Sequence, residues 1–296
     1  MIKFYLILAT LGRKDEIDYF LMSLKNQTYN NFEVIIVDQN NNNILDDIIE
    51  KYRVFFPINH IKINEKGLSL ARNVGIRYLN NQIKDTDEEF ILAFPDDDCE
   101  YTPTLLEDVK NSFEESKYSI ITGISVDKET NKISSGRWIK KKCEIKCDNI
   151  FMTAISFTIF IKLKNEINLY FDEKLGVGAN YGSSEETDYI FRYLKLGYKA
   201  LYIPEKIKVI HPNKGVNYDD NTDRQRAYYY ATGLGAFFNK HIIKNKNFCL
   251  FPTFIQLFFF RPIIGMVLGL LKFKINMFLY YKNVFWGRLK GFFFYE

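Results

Sequence analysis

Short apolar runs alternate with segments of helical periodicity through the first half of the chain. Phe4–Ala9 and Phe32–Val37 are apolar runs of strand length, and between them apolar residues recur at helical spacing over Asp15–Leu24. Strand, helix and strand in this order predict a βαβ unit with parallel strands. Further strands are predicted at Ile58–Ile63 and Ser119–Val126. We therefore expect an α/β fold with a mostly parallel sheet flanked by helices, and a ligand crevice at the carboxyl ends of its strands.

Polar residues follow three of the apolar runs. Thr10 follows the first run, Asp38 follows the second, and the run Ile91–Phe94 leads through Pro95 into three consecutive acids, Asp96–Asp98. Adjacent carboxylates repel one another, so such a group at a strand end is favoured where a cation or a ribose hydroxyl binds it. The alternative interpretation is a solvated turn, because Asp and Pro are common turn residues.

A helix is predicted to begin at Ser69 within the segment Gly67–Gly75, which contains the sequence Ala-Arg-Asn. Arg72 lies in the first turn of this helix, where a cation opposes the helix dipole. Its guanidinium is therefore expected to face an anion. The alternative is a surface arginine paired with Asp or Glu.

A glycine-punctuated loop precedes another helix, which is predicted over Glu185–Leu196. Ser183 and Glu186 have the spacing of a capping box, and Asp188 and Arg192 have the spacing of an i, i+4 ion pair. Loops rich in glycine can approach a ligand with their backbone. The start of this helix is therefore a candidate functional position as well as a candidate helix cap.

Together these segments resemble the inverting family 2 glycosyltransferases with the GT-A fold. The resemblance covers about Ile2–His211 and rests on the acid triplet together with Ala9–Arg13, Val37–Asp38, Gly67–Gly75 and Gly182–Asp188. It implies a Rossmann-like nucleotide-sugar-binding sheet. It also implies an enzyme that transfers a sugar from a nucleotide sugar with inversion.

The resemblance implies donor-binding roles for residues at the strand ends. Asp38 matches the family's strand-end Asp, which accepts a hydrogen bond from the nucleotide base, and Thr10 lies beside it. Arg72 matches a residue that approaches the base and the diphosphate. Arg13 belongs to the same donor-binding set.

The acid triplet matches the family's DxD element. Asp96 is expected to face the ribose and Asp98 to coordinate a divalent ion, while Asp97 stays in the donor site because the triplet can be aligned one residue either way. Asp96 and His211 are further candidate ligands of the metal, although a structural role for His211 is the alternative. The implied cofactor is Mn²⁺ or Mg²⁺, because such an ion held by carboxylates neutralises the charge of a departing diphosphate.

The resemblance also implies a general base at the start of the later helix. Glu186 matches the second acid of the family's Glu-Asp motif, which takes the proton from the acceptor hydroxyl. The family usually has Asp at this position, and this departure keeps Glu185 as an alternative base.

The C-terminal part of the chain is both basic and apolar. From Lys240 to the end there are nine Lys or Arg against one acid, Glu296, so this part carries +8 and the rest of the chain −4. We expect Arg261-Pro262 to split the apolar stretch Asn247–Leu271 into runs of about 14 and 10 residues, each too short to span a bilayer. This composition suits an anionic membrane surface better than nucleic acid. The alternative is a helical subdomain that packs on the catalytic domain or on a second subunit.

We therefore expect a GT-A glycosyltransferase domain over residues 1–215 and a helical, basic and hydrophobic membrane-associating tail over residues 216–296. Within the first, residues 1–125 would form the nucleotide-sugar half and residues 126–215 the acceptor half. The tail would attach the protein peripherally to the cytoplasmic face of the inner membrane. No nucleic-acid partner is expected.

The expected reaction is transfer of a hexose from a UDP-linked donor to a hydroxyl of a glycan acceptor in polysaccharide, O-antigen or capsule synthesis. The tail favours a lipid-linked acceptor, such as an undecaprenyl-diphosphate-linked sugar. Two other classes stay open. A sugar-phosphate nucleotidyltransferase would carry a glycine-rich phosphate loop near the N-terminus, where Ala9–Lys14 contains one Gly. A non-catalytic membrane-surface binding protein would explain the tail but not the motifs.

Overall fold

The computed structural model describes residues 1–84, 87–134, 136, 138–213 and 215–296. The chain forms two compact units, which we call the sheet unit and the tail unit. The sheet unit comprises Met1–Phe171 and Tyr189–Lys214, and the tail unit comprises Asp172–Asp188 and Gly215–Glu296. The predicted acceptor half therefore contributes to both units, and the predicted division at residue 215 lies beside one of their boundaries.

Within the described ranges there are eleven strands and nine α-helices, which we number along the chain. The strands are β1 (Lys3–Thr10), β2 (Phe32–Asp38), β3 (Ile58–Lys62), β4 (Glu89–Ala93), β5 (Glu100–Tyr101), β6 (Ile120–Thr122), β7 (Ile124–Val126), β8 (Cys143–Glu144), β9 (Ile159–Lys164), β10 (Ala200–Tyr202) and β11 (Lys208–Ile210). The helices are α1 (Asp15–Lys25), α2 (Asp46–Arg53), α3 (Leu68–Ile83), α4 (Leu105–Glu114), α5 (Glu185–Lys195), α6 (Asn221–Phe238), α7 (Phe251–Phe254), α8 (Arg261–Leu271) and α9 (Ile275–Phe294).

The sheet unit contains one large and one small sheet. The large sheet has the strand order β3-β2-β1-β4-β9-β6-β10-β8, and the small sheet has the order β5-β11-β7. Strand β1 pairs in parallel with β2 and β4, and β2 pairs in parallel with β3, which confirms the predicted α/β arrangement. All seven residues of β2 are buried, as expected for a strand covered on both faces. The register places Thr10 beside Asp38 at the carboxyl edge.

The predicted helices follow their apolar positions. Helix α1 buries Ile17, Phe20, Leu21 and Leu24, the residues whose spacing predicts it. Helix α3 begins one residue before the predicted start and buries Arg72 in its first turns. The polar partners of that buried guanidinium are described with the candidate active site.

The predicted single strand Ser119–Val126 is wrong. It is divided at Gly123 into β6, in the large sheet, and β7, in the small sheet. A Cβ atom on Gly123 would lie 2.2 Å from the carbonyl oxygen of Ile207, so only glycine permits this close approach of the two backbones. The apolar run predicts strand conformation at these residues but does not reveal the change of sheet.

The tail unit contains a helical stretch that the sequence predicts to be broken. Phe248–Leu271 is helical throughout, because a π-helix over Ile255–Phe260 joins α7 to α8. The predicted interruption at Arg261-Pro262 is therefore wrong. Pro262 lies in the first turn of α8, and the wider π turns before it accommodate the ring and the missing N–H.

By length and composition, Phe248–Leu271 is the one helical stretch in the described ranges that could cross a membrane, and 28% of its most apolar window is buried. Helix α8 packs against α9, and α9 packs against α6. The residues Lys272–Lys274 turn the chain between α8 and α9. Phe273 in this turn has a left-handed backbone with φ of 53°.

Candidate active site

The acid triplet follows β4, and each of its carboxylates contacts polar groups from distant parts of the sheet unit. Asp96 accepts a hydrogen bond from Arg72 at 2.8 Å and another from the hydroxyl of Ser156 at 3.0 Å. The Arg72 side chain is fully buried, whereas 27% of the Asp96 side chain is exposed. The expectation that Arg72 faces an anion is met within the protein by Asp96. Arg72 is a buried partner of the triplet and not a surface arginine.

Asp97 lies between the end of β1 and the loop that follows it. The hydroxyl of Thr10 donates to its carboxylate at 3.0 Å, and the guanidinium of Arg13 lies 4.0 Å away. Burial raises the pKa of Asp97 to about 6, and the hydrogen bond from Thr10 and the charge of Arg13 only partly oppose this shift. Asp97 thus joins the β1 end to the triplet.

Asp98 pairs with two cationic or potentially cationic groups. Arg13 Nη2 lies 3.3 Å from Asp98 Oδ2, and His211 Nε2 lies 3.0 Å from Asp98 Oδ1. Burial lowers the pKa of His211, but the hydrogen bond to Asp98 and the charges of Asp98 and Asp96 outweigh it, so the pKa is raised overall. The ring of Phe157 stacks on the imidazole with a centroid separation of 4.6 Å. His211 is therefore held against the triplet.

Asp38 is fully buried at the carboxyl end of β2. Its Oδ2 lies 2.9 Å from Nε2 of His60, and its Oδ1 accepts hydrogen bonds from the backbone and side chain of Asn40. Burial works to raise the pKa of Asp38, but these hydrogen bonds outweigh it and lower the pKa. Sequence reasoning missed His60. The strand order could have indicated it, because His60 lies on β3, which pairs in parallel with the strand that ends at Asp38.

The arrangement of Asp98 and His211 fits a divalent metal with few protein ligands. They place a carboxylate oxygen and an imidazole nitrogen 3.0 Å apart, and both kinds of atom would serve as ligands of such an ion. No cluster of three or more His, Cys, Asp or Glu side chains suited to a metal occurs among the described residues. Mg²⁺ commonly uses one or two protein ligands and takes the remainder from substrate phosphates and water. The two residues present fit such a site.

The two candidate bases lie in the tail unit, at the start of α5. Glu185 is buried, with 6% of its surface exposed, whereas Glu186 is partly exposed. The first helical hydrogen bond runs from the N–H of Asp188 to the carbonyl of Ser184, one residue later than the capping-box register predicts. The hydroxyl of Ser183 instead donates to the carbonyl of Tyr230 at 2.7 Å.

The backbone before these glutamates is unusual. Ser184 has a left-handed backbone with φ of 70°, which is uncommon for a residue other than glycine. Gly233 on α6 packs against Ser183. A Cβ atom on Gly233 would lie 2.2 Å from the carbonyl oxygen of Ser183. Close packing of α6 thus determines the path of the chain into α5.

Residues 5–165, more than half of the chain, match the family model described as glycosyl transferase family 2. The chain belongs to glycosyltransferase family 2. The matched residues include the acid triplet and the candidate donor residues, but Glu185, Glu186 and His211 lie beyond them. The predicted family is confirmed, and the transferase class is favoured over a nucleotidyltransferase or a non-catalytic binding protein.

A curated relative in Haemophilus influenzae, an uncharacterized glycosyltransferase, is 25% identical over 272 residues, which cover 84% of this chain and 82% of that protein. Among solved structures, residues 1–349 of S. aureus TarS in complex with UDP-GlcNAc align with a TM-score of 0.57 and 17% identity, covering 99% of this chain and 93% of that chain. The longer TarS chain is covered only to 45%.

The mannosyltransferase PcManGT from Pyrobaculum calidifontis, in complex with GDP-Man and Mn²⁺, aligns with a TM-score of 0.64 and 12% identity. The alignment covers 99% of this family 2 chain and 88% of PcManGT. At such low identity the likeness shows the fold alone. The predicted GT-A fold is confirmed.

Proposed function

We propose that this family 2 protein transfers a hexose from a UDP-sugar to a hydroxyl of a glycan acceptor, with inversion at the anomeric carbon. The observation that carries the proposal is the acid triplet at the carboxyl edge of the sheet, with Arg13, Arg72 and His211 around it. A nucleoside diphosphate is a multiply charged leaving group. A site with both carboxylates and cations can hold such a group and neutralise it as it departs.

Donor binding is assigned to the residues at the ends of β1, β2 and β4. Arg13 is 32% exposed, so its guanidinium is accessible to a diphosphate as well as to Asp97 and Asp98. Asp38, held by His60, would accept a hydrogen bond from the nucleotide base, and Thr10 lies beside it. Arg72 would act through Asp96, since its side chain is fully buried against that carboxylate.

Asp98 and His211, with Asp96 nearby in sequence, would hold the proposed Mn²⁺ or Mg²⁺. Such an ion, when bound, supplies positive charge to the phosphate oxygens of the departing UDP. PcManGT, a structural neighbour, is described in complex with Mn²⁺. The residues themselves contribute a hard carboxylate oxygen and an imidazole nitrogen, both suited to these ions.

Glu186 is proposed as the general base, with Glu185 as the alternative. Either carboxylate can accept the proton of an attacking hydroxyl. Glu186 is the more exposed of the two, so an acceptor hydroxyl can reach it more readily. The longer Glu side chain replaces the Asp that the family usually carries at this position.

The acceptor is proposed to be lipid-linked, in polysaccharide, O-antigen or capsule synthesis at the cytoplasmic face of the inner membrane. Support comes from an exposed apolar stripe on α8, in which Ile264, Val267 and Leu271 recur at helical spacing and are 54%, 47% and 71% exposed. The tail contains no Asp or Glu between Asp223 and Glu296. An apolar stripe in a wholly cationic segment suits an anionic bilayer surface.

The turn after α8 extends this surface. Phe273 is 96% exposed, and Lys272 and Lys274 flank it. A left-handed backbone costs a residue such as Phe roughly 1–2 kcal/mol, so the turn presents a large apolar side chain to solvent despite that cost. We propose that Phe273 enters the interfacial layer while the two lysines contact lipid phosphates.

The proposed reaction is tested by UDP release from a panel of UDP-sugars in membrane-containing preparations, which supply lipid-linked acceptors, with and without Mn²⁺, using the wild type, Asp98→Ala, Glu186→Gln and Glu185→Gln. Release from one donor that depends on Mn²⁺ and is lost in Asp98→Ala and Glu186→Gln is expected. Asp87→Ala is the matched control, because Asp87 is 81% exposed and pairs only at the surface with Lys164. Loss in Glu185→Gln alone would move the base to Glu185. Absence of release from every donor would overturn the proposal.

A further inference from the structure

A buried carboxylate lies two residues after Glu186. The Asp188 side chain is fully buried in the tail unit. Its Oδ1 is 2.8 Å from Nε2 of His241 and 2.8 Å from Nζ of Lys240. Because a carboxylate oxygen accepts, the imidazole donates its Nε2–H. Two donors therefore converge on one oxygen at the start of α5.

The two donors are consecutive residues, which an ordinary α-helix would direct to different faces. They lie in a π-helical segment, Asn239–Lys244, which continues α6. The wider turn of a π-helix changes the angle between consecutive side chains, and such segments are frequent at functional sites. The imidazole also packs on the ring of Phe237, at a centroid separation of 4.7 Å. From consecutive positions of this π-helix, Lys240 and His241 thus reach the same atom.

Lys240 also binds Asp172, with Nζ 2.6 Å from Asp172 Oδ2. Asp172 and Asp188 are the first and last residues of the chain segment that joins the tail unit to the sheet unit in sequence. The ammonium group of Lys240 therefore contacts the first and the last residue of this segment. The hydroxyl of Tyr295 donates to the same carboxylate of Asp172, so the C-terminal end of the chain takes part as well.

The charges support a stable network. Burial works to raise the pKa of Asp172, but the hydrogen bonds from Lys240 and Tyr295 outweigh it, and the pKa is lowered. Lys240 is 18% exposed and His241 is 1% exposed, so little water competes for these bonds. A buried network whose charged groups contact one another favours a single geometry.

We propose that Lys240 and His241 are positioning residues that act through Asp188 on the start of α5, and so on the candidate bases. This inference rests on the proposed function, since it assigns the network to the reaction of Glu185 or Glu186. The C-terminal part would then support proton transfer as well as membrane contact. Small displacements of a reacting group cost rate without weakening donor binding.

The test compares Lys240→Met, His241→Leu and His241→Gln with the wild type. Gln places its amide nitrogen near the position of His Nε2 and keeps a donor for Asp188, whereas Leu removes it. Asp223→Asn is the matched control, because Asp223 pairs with Arg226 at 2.6 Å elsewhere on α6. Three quantities are measured: the kcat and the donor KM for UDP release in membrane-containing preparations that supply the acceptor, and the hydrogen exchange of the amides of residues 183–188.

We expect kcat to fall roughly tenfold to a hundredfold in Lys240→Met and His241→Leu, with the donor KM within about twofold of wild type. Exchange at residues 183–188 should quicken in both, while His241→Gln and Asp223→Asn should retain wild-type values. An unchanged kcat with faster exchange would overturn the positioning role, and unchanged exchange would overturn the network itself. If the wild type releases UDP from no donor, the proposed function fails, and the exchange rates still decide whether the network holds α5.

Discussion

The acid triplet of the sheet unit and the Asp172 and Asp188 pair of the tail unit both concentrate carboxylates, but the surroundings differ. The side chains of the triplet are 27%, 19% and 12% exposed, and its cationic neighbours include the partly exposed Arg13. Asp188 is fully buried and its partner His241 nearly so, whereas Asp172 is 15% exposed, within the range of the triplet. Partly exposed carboxylates can exchange a protein partner for a ligand, whereas sealed ones hold structure. The triplet therefore suits binding, and Asp188 with His241 suits positioning.

The two regions also differ in how their cations are supplied. Arg13 and Arg72 come from motifs whose spacing points to a donor site. Lys240 and His241 come from a segment whose composition points to a membrane surface and not to a site. A basic tail can thus contribute interior charges as well as surface charges. Removing residues 240–296 would remove Lys240 and His241 from Asp188, so a truncation cannot isolate membrane binding, and single substitutions are required.

The largest expected effect is the loss of activity on substitution within the acid triplet. Asp98→Ala should lower Mn²⁺-dependent UDP release by about a thousandfold, because removing charge stabilisation of a leaving group typically costs about 3–4 kcal/mol in the barrier. Steady-state release assays at saturating Mn²⁺ measure this loss. Wild-type activity in Asp98→Ala would remove the triplet from the reaction, whereas Asp87→Ala should stay at the wild-type rate.

The network of Lys240, Asp172 and Asp188 should contribute more to the free energy of unfolding than an exposed ion pair does. Lys240→Met leaves Asp188 and Asp172 without their shared ammonium, which should lower the free energy of unfolding by about 2–3 kcal/mol. Urea unfolding measures the difference. Arg226→Met, which breaks the half-exposed pair with Asp223, should cost less than about 1 kcal/mol. Equal costs for the two substitutions would contradict the distinction between sealed and exposed pairs.

A smaller effect is expected at the membrane face. Phe273→Asp should weaken binding to vesicles of phosphatidylglycerol and phosphatidylcholine by about tenfold, because a buried aromatic side chain contributes roughly 1.5–3 kcal/mol and the new charge repels anionic lipid. Cosedimentation with the vesicles gives the affinity. Phe55→Asp, at a site 52% exposed in the sheet unit, should bind like the wild type. Equal affinities for the two variants would argue against the turn as the contact.

The smallest expected effect is the pH dependence of the His211 and Asp98 pair. The folded pKa of His211 is raised above its ordinary value, so the pair stabilises the fold below that ordinary value and loses its contribution as the pH rises through the folded pKa. In metal-free buffer, His211→Asn should be less stable than wild type at pH 5.5 and close to it at pH 9. Parallel unfolding curves with EDTA test this. A stability difference between wild type and His211→Asn that grows as the pH rises would contradict this prediction.

The motifs made the sheet unit largely predictable. The parallel βαβ arrangement, the polar residues at the strand ends and the family all follow from apolar runs and motif spacing, which are local properties of the chain. Local patterns could not reveal that Asp38 pairs with His60 or that Asp98 pairs with His211, because these partners are brought together only when the strands align. Residue type suggested His211, and strand order could have suggested His60.

Two local predictions failed, at Gly123 and at Pro262. Gly123 divides a continuous apolar run between two sheets because the backbone at Ile207 approaches it closely. Pro262 does not end the tail helix because a π-helix precedes it. At Gly123 a contact with a distant backbone outweighs the local preference, whereas at Pro262 the adjoining π-helix lets the helix continue.

The sequence by itself determined the βαβ elements at the start of the chain, the α/β fold, the family and the candidate acids, since hydrophobic periodicity and motif spacing encode each of them within short segments. Only the tertiary structure decided which cations meet which carboxylates. Lys240 and His241 reach Asp188 across more than fifty positions of sequence. A contact at that separation depends on helix packing and on the π turn that directs both side chains, neither of which a local pattern records.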